Sequence, residues 1–365
     1  MTRTLIIEAA GNLRGSERAL IDFVEGTSEL EFAVCCPPRT PLCRELQKRH
    51  IRQLPYFVFG LHQKSRWRRL QAAIGVIRAC LEFRPHVIHL NQGGAYKVTL
   101  PAARLLNLPI VAHVRLFEEV VYLAQQKPDP HRLRGLIAIS GAVETEIRRF
   151  PELASIPFHR LYDAYRRASS VTADLAEGRA MRRLVCAGRV EPMKGQDLLV
   201  SALDLLENDC AECLVAGDGD PAFIDELRRA AAAKSVSSIQ WLGLVDDILP
   251  LLQTSAVLAF PSHRETLGRV ILEAWDAGAI PVVFSGSGGA AEIVAAAKGG
   301  ILYEEQTPES LARVLRDALE LDQEQRAVLI GNGRSWMAEN CNPEIYGEML
   351  SEILGSACEP KRYSR

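Results

Sequence analysis

The sequence predicts an α/β protein built from two doubly wound, Rossmann-like domains. Short apolar runs alternate with amphipathic stretches, the pattern of parallel strands joined by crossover helices. The alternation lapses near residue 162 and restarts near residue 183, and 365 residues suffice for two cores of ordinary size. Hydrophobic residues make up 48% of the chain and charged residues 24%, which excludes a disordered polymer.

In the first half, runs at 5–7, 32–36, 87–90, 110–114 and 136–139 read as buried strands. Helical patterns at 17–24, 42–49, 67–83 and 95–106 separate them. The opening run is too short for a secretory leader and is interrupted by Glu8, so it reads as a first strand. A polar, Ala/Ser/Arg-rich stretch at 162–182 reads as a linker. The second half repeats the pattern, with strands at 183–188, 213–217, 239–242, 256–260 and 280–284, and a closing amphipathic helix from Pro343. The expected divisions are 1–162, 163–342 and 343–365.

No segment approaches the run of about 18 apolar residues that a membrane-spanning helix requires. The nine cysteines are scattered, and Cys210 and Cys213 form a single CxxC with no second pair at metal-ligand spacing. A reducing, cytoplasmic setting, without metal, is the expectation. Charge is uneven: residues 1–162 hold 23 Lys and Arg against 14 Asp and Glu, a balance of +9, which leaves −11 for the remainder of a chain of net charge −2. The basic half suits an anionic contact such as a membrane surface. Within it, residues 62–78 are basic, aromatic and amphipathic, a pattern of interfacial helices. The simpler expectation is that this helix packs its Ile and Leu face on the sheet.

Three segments in the second half carry chemistry. In Cys186-Ala-Gly-Arg-Val-Glu-Pro-Met-Lys-Gly-Gln, a strand ends at Gly188, and Arg189 and Lys194 follow before a helix opening near Gln196. A guanidinium fork and an ammonium at a parallel strand's carboxyl end suit an anionic ligand. In Ala216-Gly-Asp-Gly-Asp, Gly217 and Gly219 serve either a ligand's close approach or a plain turn. The third segment runs from Phe260 to Val283. Its helix is expected to start near Thr266 and to end at Gly278. The N–H groups of Thr266, Leu267 and Gly268 would then face an anion. Glu273, six residues beyond Leu267, would lie about 9 Å further along the axis. That separation suits a diphosphate at the helix start and ribose hydroxyls at Glu273, with Glu265 near the phosphate and sugar.

The glutamates Glu265 and Glu273 with seven residues between them, the Gly-Arg-x4-Lys-Gly loop and the strand restart resemble the retaining glycosyltransferases of GT-B fold. That family includes sucrose-phosphate synthases and many bacterial lipopolysaccharide and capsule transferases. The resemblance covers most of 1–350 in layout and 185–295 in specific motifs. It implies two Rossmann-like domains facing a cleft, with the closing helix crossing back to the first. It implies that Arg189 and Lys194 bind the donor diphosphate, Glu273 the ribose and Glu265 the transferred sugar, helped by backbone from Thr266, Leu267 and Gly268. Backbone near Leu244 and Val245 would read the base, beside a Trp241 that is itself expected in the core. In the first half, Gly11 and Gly15 would touch the diphosphate, although Ser16 stands where the family usually has a second glycine. His113 would lie near the donor sugar, or else be a structural histidine, and Arg115 would add positive charge. Leu161-Tyr-Asp-Ala-Tyr matches the family's hinge in position only, so Asp163 receives no catalytic role.

The implied function is transfer of a hexose-type sugar from a nucleoside diphosphate, UDP before GDP, to a saccharide, lipid-linked or small-molecule hydroxyl, with no cofactor. No nucleic-acid partner is expected. A GT-B epimerase or phosphorylase and a catalytically silent binding protein are the rival readings. The retained Arg189, Lys194, Glu265 and Glu273 set speaks against the silent one.

Overall fold

The computed structural model describes residues 1–26, 30–56, 65–167, 180–206, 209–234, 236 and 238–359. Most of the expected linker, the start of the 62–78 segment and the C-terminal tail lie outside them. The chain divides into two compact units, Met1–Arg166 with Asn340–Arg365, and Arg167–Glu339.

Among the described residues the first unit holds seven strands: β1 (Thr2–Ile7), β2 (Leu30–Cys36), β3 (Gln53–Pro55), β4 (Val87–Leu90), β5 (Ile110–Val114), β6 (Leu133–Ala138) and β7 (Phe158–Arg160). They pair in parallel in the order β3-β2-β1-β4-β5-β6-β7. β4 and β5 are buried throughout, as strands covered on both faces must be. Their mostly apolar runs, each interrupted by one buried histidine, His89 or His113, follow from that double coverage. The edge strands β3 and β7, of three residues each, carry too little periodicity to be read from sequence, and Pro55 ends β3 where a missing donor costs least.

The closing helix Pro343–Cys358 belongs to this unit. Asn342 caps it, accepting from the N–H groups of Glu344 and Ile345, and Pro343 occupies the first helical position, where its missing N–H costs nothing. Leu350 and Leu354, both fully buried, pack with Ile6, Leu20 and Val34. The Tyr346 ring lies 5.3 Å from that of Phe23.

Among the described residues the second unit holds six strands: β8 (Ala180–Ala187), β9 (Glu212–Ala216), β10 (Ile239–Gly243), β11 (Ser255–Phe260), β12 (Ile280–Phe284) and β13 (Ile301–Tyr303). Their order is β10-β9-β8-β11-β12-β13, again all parallel. Its core gathers Leu184, Leu199, Leu203, Val257, Leu311 and Leu315. Trp275 is fully buried in this unit, donating from Nε1 to the Gly299 carbonyl at 2.6 Å. Cys210 and Cys213 are buried in the core, and desolvation pushes the Cys210 thiol up to about 11.

The helix Arg66–Phe83 differs from the sequence expectation. Its inward face is Ala72, Ala73, Val76, Ala79, Cys80 and Phe83, whereas Leu70, Ile74 and Leu81 are exposed. Both faces carry apolar residues, so periodicity could not select between them. The face of small residues packs inward, with Gly75 close against Tyr56.

If the closing helix is integral to the first core, Leu350→Ala and Leu354→Ala should each cost about 2–5 kcal/mol in chemical denaturation. A loss below about 1 kcal/mol for both would show that the helix is dispensable.

Candidate functional site

Ligands of doubly wound sheets bind beyond the strands' carboxyl ends, where the strand order reverses. In the six-stranded sheet the reversal falls between β8 and β11, so the loops at 188–195 and 261–268 flank it. After β8, Arg189 is exposed, with Nη1 3.5 Å from Glu191, a surface contact of little strength. Its carbonyl accepts from Gln196 Nε2 at 2.9 Å, which ties the loop to the helix Gln196–Leu206. A single 3-10 turn, Pro192–Lys194, ends at Gly195 with φ +70°. A Cβ on Gly195 would stand 2.3 Å from the Pro261 carbonyl oxygen, so only glycine lets this loop meet the chain leaving β11. His263 N–H then donates to the Met193 carbonyl at 3.0 Å.

That approach brings Lys194 and Glu265 together. Lys194 Nζ donates to Glu265 Oε2 in a partly buried ion pair. Glu265 is itself pinned: its N–H donates to Ser287 O at 2.6 Å, and its carbonyl accepts from Gly289 N–H at 2.9 Å. Its other carboxylate oxygen accepts the Thr266 N–H at 3.1 Å.

The next helix, Arg269–Ala277, starts three residues later than expected. Gly268, at φ +82°, is left-handed and cannot continue a helix, and Leu267 is buried just before it. Two expectations are corrected. The Thr266 N–H is taken by Glu265 rather than left for a ligand. Glu273 is four residues inside the helix, about 6 Å along the axis instead of 9 Å. The N–H groups of Leu267 and Gly268 have no acceptor among the described residues. Glu273 is buried, with Oε1 3.8 Å from Arg269 Nε one turn earlier. Arg269 escaped the sequence reading, although its i,i+4 spacing from Glu273 was the available signal.

The remaining predicted residues of this unit follow β9 and β10. Gly217 N–H donates to the Gly243 carbonyl at 2.8 Å, and Leu244, next in the chain, is exposed, with Val245 beside it half-buried. Trp241 is half-buried against the core. A Cβ on Gly217 would fall 1.8 Å from Gly188 O, and one on Gly219 2.0 Å from Val190 O. The approach of two loops thus accounts for both glycines. Arg189, Lys194, Gly217, Leu244, Val245, Glu265, Thr266, Leu267 and Gly268 all lie beyond the carboxyl ends of four neighbouring strands, and Glu273 on the helix that follows.

Gly11, Gly15 and His113 lie in the first unit, whose strand order reverses between β1 and β4. Gly11 seats the loop after β1 on Thr40, 2.3 Å from where a Cβ would be, and accepts the Leu42 N–H at 3.1 Å. Gly15 opens the helix Gly15–Gly26, where Glu17 reaches back to the Arg14 N–H at 3.0 Å, as in a capping box. His113 is fully buried, its Nδ1 3.4 Å from Arg115 Nη2 and 3.5 Å from Tyr346 Oη. Desolvation, reinforced by the Arg115 charge, holds its pKa well below the ordinary value, so the ring is neutral.

Sequence reading missed the network around it. Arg115 donates from Nε to Asn91 O at 2.9 Å and from Nη2 to Asn91 Oδ1 at 3.1 Å, and pairs through Nη1 with buried Asp163. Asn91 Nδ2 in turn donates to Glu8. Burial, with repulsion from Glu17, pushes the Glu8 carboxyl up to about 8. An acidic residue breaking the first apolar run was the only signal for Glu8. Asp163 serves as the counter-ion of Arg115. Among the described residues no cluster of three or more His, Cys, Asp or Glu is placed to hold a metal ion.

Comparison with known proteins places this geometry. Residues 175–336 match the family described as glycosyl transferases group 1. The chain is 32% identical over 189 residues to a GDP-mannose-dependent monoacylated alpha-(1-6)-phosphatidylinositol monomannoside mannosyltransferase of Corynebacterium glutamicum, covering 49% of this chain and 48% of that one. It is 33% identical over 168 residues to a D-inositol 3-phosphate glycosyltransferase of Jonesia denitrificans, covering 43% and 39% respectively. The chain thus spans about half or less of the length of these curated relatives. A crystal structure of Anabaena HepE in complex with UDP and glucose superposes with TM-score 0.80 at 20% identity, over 98% of this chain and 100% of that one. Residues 175–336, nearly all of the second unit, are thus similar to the group 1 glycosyl transferases, and the chain has the GT-B fold of two parallel Rossmann-like sheets.

Proposed function

We propose that the chain transfers a hexose-type sugar from a nucleoside diphosphate to a hydroxyl acceptor, with retention at the anomeric carbon. The observation that carries this reading is the convergence of Arg189, Lys194 and Glu265 on the two loops flanking the β8/β11 reversal, next to Arg269 and Glu273. The acceptor oxygen bonds to the anomeric carbon as the bond from that carbon to the diphosphate oxygen breaks. The hydroxyl proton passes to the departing phosphate oxygen on the same face. Negative charge grows on the diphosphate, and fixed cations there stabilise the transition state more than the ground state. The Lys194–Glu265 pair keeps the ammonium in place before the donor arrives, so little reorganisation remains at the moment of reaction. Glu265 positions the sugar, Glu273 accepts from the ribose, and backbone at Leu244 and Val245 meets the base. Recognition of the acceptor falls to the first unit, whose positive balance suits a lipid-linked or otherwise anionic acceptor.

A UDP-sugar is the first reading of the donor, supported by the likeness to HepE crystallised with UDP and glucose. A GDP-sugar is the second, favoured by the GDP-mannose-dependent relative from Corynebacterium glutamicum.

Arg189→Ala and Lys194→Ala should each lower kcat by roughly 100-fold or more, with the exposed Arg189 substitution leaving the melting temperature unchanged. Unaltered turnover in either would remove that residue from the mechanism. Glu273→Gln should raise KM for the donor with kcat little changed, the mark of an interaction present equally in ground and transition states. A fall in kcat at constant KM would place Glu273 at the reacting centre instead. In a thermal-shift panel of UDP-, GDP- and ADP-sugars, the cognate base should raise Tm the most. No shift with any of them would contradict the donor assignment.

A further inference from the structure

The helix Arg66–Phe83 is turned inside out relative to an ordinary surface helix. Its core side is small, with Ala72, Ala73, Ala79 and Cys80 beside Val76 and Phe83. Its solvent side carries the larger apolar residues: Trp67 is 67% exposed, Leu70 51%, Ile74 48% and Leu81 56%. Residues 67, 74 and 81 recur every seven positions, so they drift only about 20° per step around the axis and form one stripe. Leu70 lies beside it, three residues after Trp67 and four before Ile74. The stripe runs about 21 Å along the axis at the usual rise per residue. A globular helix normally places its apolar stripe inward and its polar face in water.

Charge indicates what this face meets. The helix carries Arg66, Arg68, Arg69 and Arg78 against the single acid Glu82, which is engaged by Arg52 at 3.3 Å. Arg84 follows directly as its left-handed cap. Arg66, Arg68 and Arg78 are exposed, flanking or interrupting the stripe. Beside Ile74 and Arg78 a cavity of about 250 Å³ opens, lined in part by Leu54, Pro55 and Tyr56. No helix of the described residues is long and apolar enough to cross a membrane. An exposed aromatic and aliphatic stripe edged by arginines has the chemistry of a helix lying in the plane of an anionic bilayer: rings and chains enter the acyl boundary and guanidinium groups stay at the phosphates.

We propose that Trp67, Leu70, Ile74 and Leu81, with Arg66, Arg68 and Arg78, form a docking face for an anionic lipid surface. The occupant is a bilayer rather than a peptide or a second copy, because a stripe of large apolar residues edged by cations matches the layering of anionic headgroups over acyl chains. Binding of this kind requires neither donor nor transfer chemistry, so it stands or falls apart from the catalytic reading.

The test is co-sedimentation of the full chain with phosphatidylglycerol/phosphatidylcholine vesicles and with phosphatidylcholine vesicles alone, without nucleotide sugar. The expected result is binding to the anionic vesicles at low salt, weakened at least about 10-fold in 0.5 M salt or on pure phosphatidylcholine. Trp67→Ser with Ile74→Ser, and separately Arg66→Glu with Arg68→Glu, should each reduce binding at least about 10-fold, with Tm and thermal response to donor unchanged. Absence of binding to anionic vesicles at low salt overturns the proposal. So does binding that both double variants retain. A dimer in light scattering that dissolves in the Trp67→Ser/Ile74→Ser variant, with no vesicle binding by the parent chain, assigns the face to self-association and overturns it as well.

Discussion

The second unit's chemistry depends on two loops meeting backbone to backbone. The loop after β8 and the chain leaving β11 touch at Gly195 and Pro261, where a Cβ would stand 2.3 Å from a carbonyl oxygen. That contact places Lys194 against Glu265, and the hydrogen bonds of Glu265 to Ser287 and Gly289 extend it to the loop after β12. The approach of Gly217 and Gly219 to Gly188 and Val190 adds the turn after β9. Four strand ends are therefore locked together by backbone geometry before any ligand is considered. A charged pair placed on so fixed a frame is preorganised, which is the property that electrostatic catalysis needs.

The first unit solves a different problem. Arg115 is buried, and its charge is met by Asp163 and by Asn91, which also donates to Glu8. An uncompensated guanidinium at that depth would be costly, so the network is tied to the position of Arg115. Burial, reinforced by the same charge, keeps the neighbouring His113 neutral. Tyr346 brings the closing helix into this cluster, so a segment nearly 200 residues downstream of Asp163 completes the environment of β5.

Much of the fold was legible in the sequence because parallel strands buried on both faces leave unbroken apolar runs, as in 136–139 and 256–260. The three-residue edges β3, β7 and β13 were illegible because so short a run has no period. At the candidate site, Arg189, Lys194, Glu265 and Glu273 could be picked out from residue type and spacing. The helix start could not be read, since the left-handed Gly268 and the inward turn at Leu267 are decisions of tertiary packing. The partner of Glu273 was legible in principle, since Arg269 lies one turn earlier in the expected helix at i,i+4 spacing. The helix Arg66–Phe83 shows the same limit more sharply: with apolar residues on both faces, only packing reveals which one the core accepts.

The proposed chemistry requires that the loops after β8 and β11 hold the nucleoside diphosphate of the donor. Amide hydrogen exchange with and without a saturating nucleoside diphosphate tests this most directly, since it reads location without requiring turnover. Exchange should slow chiefly in 189–195 and 265–273. Clear binding with protection confined to other segments, and none in these two, would contradict it.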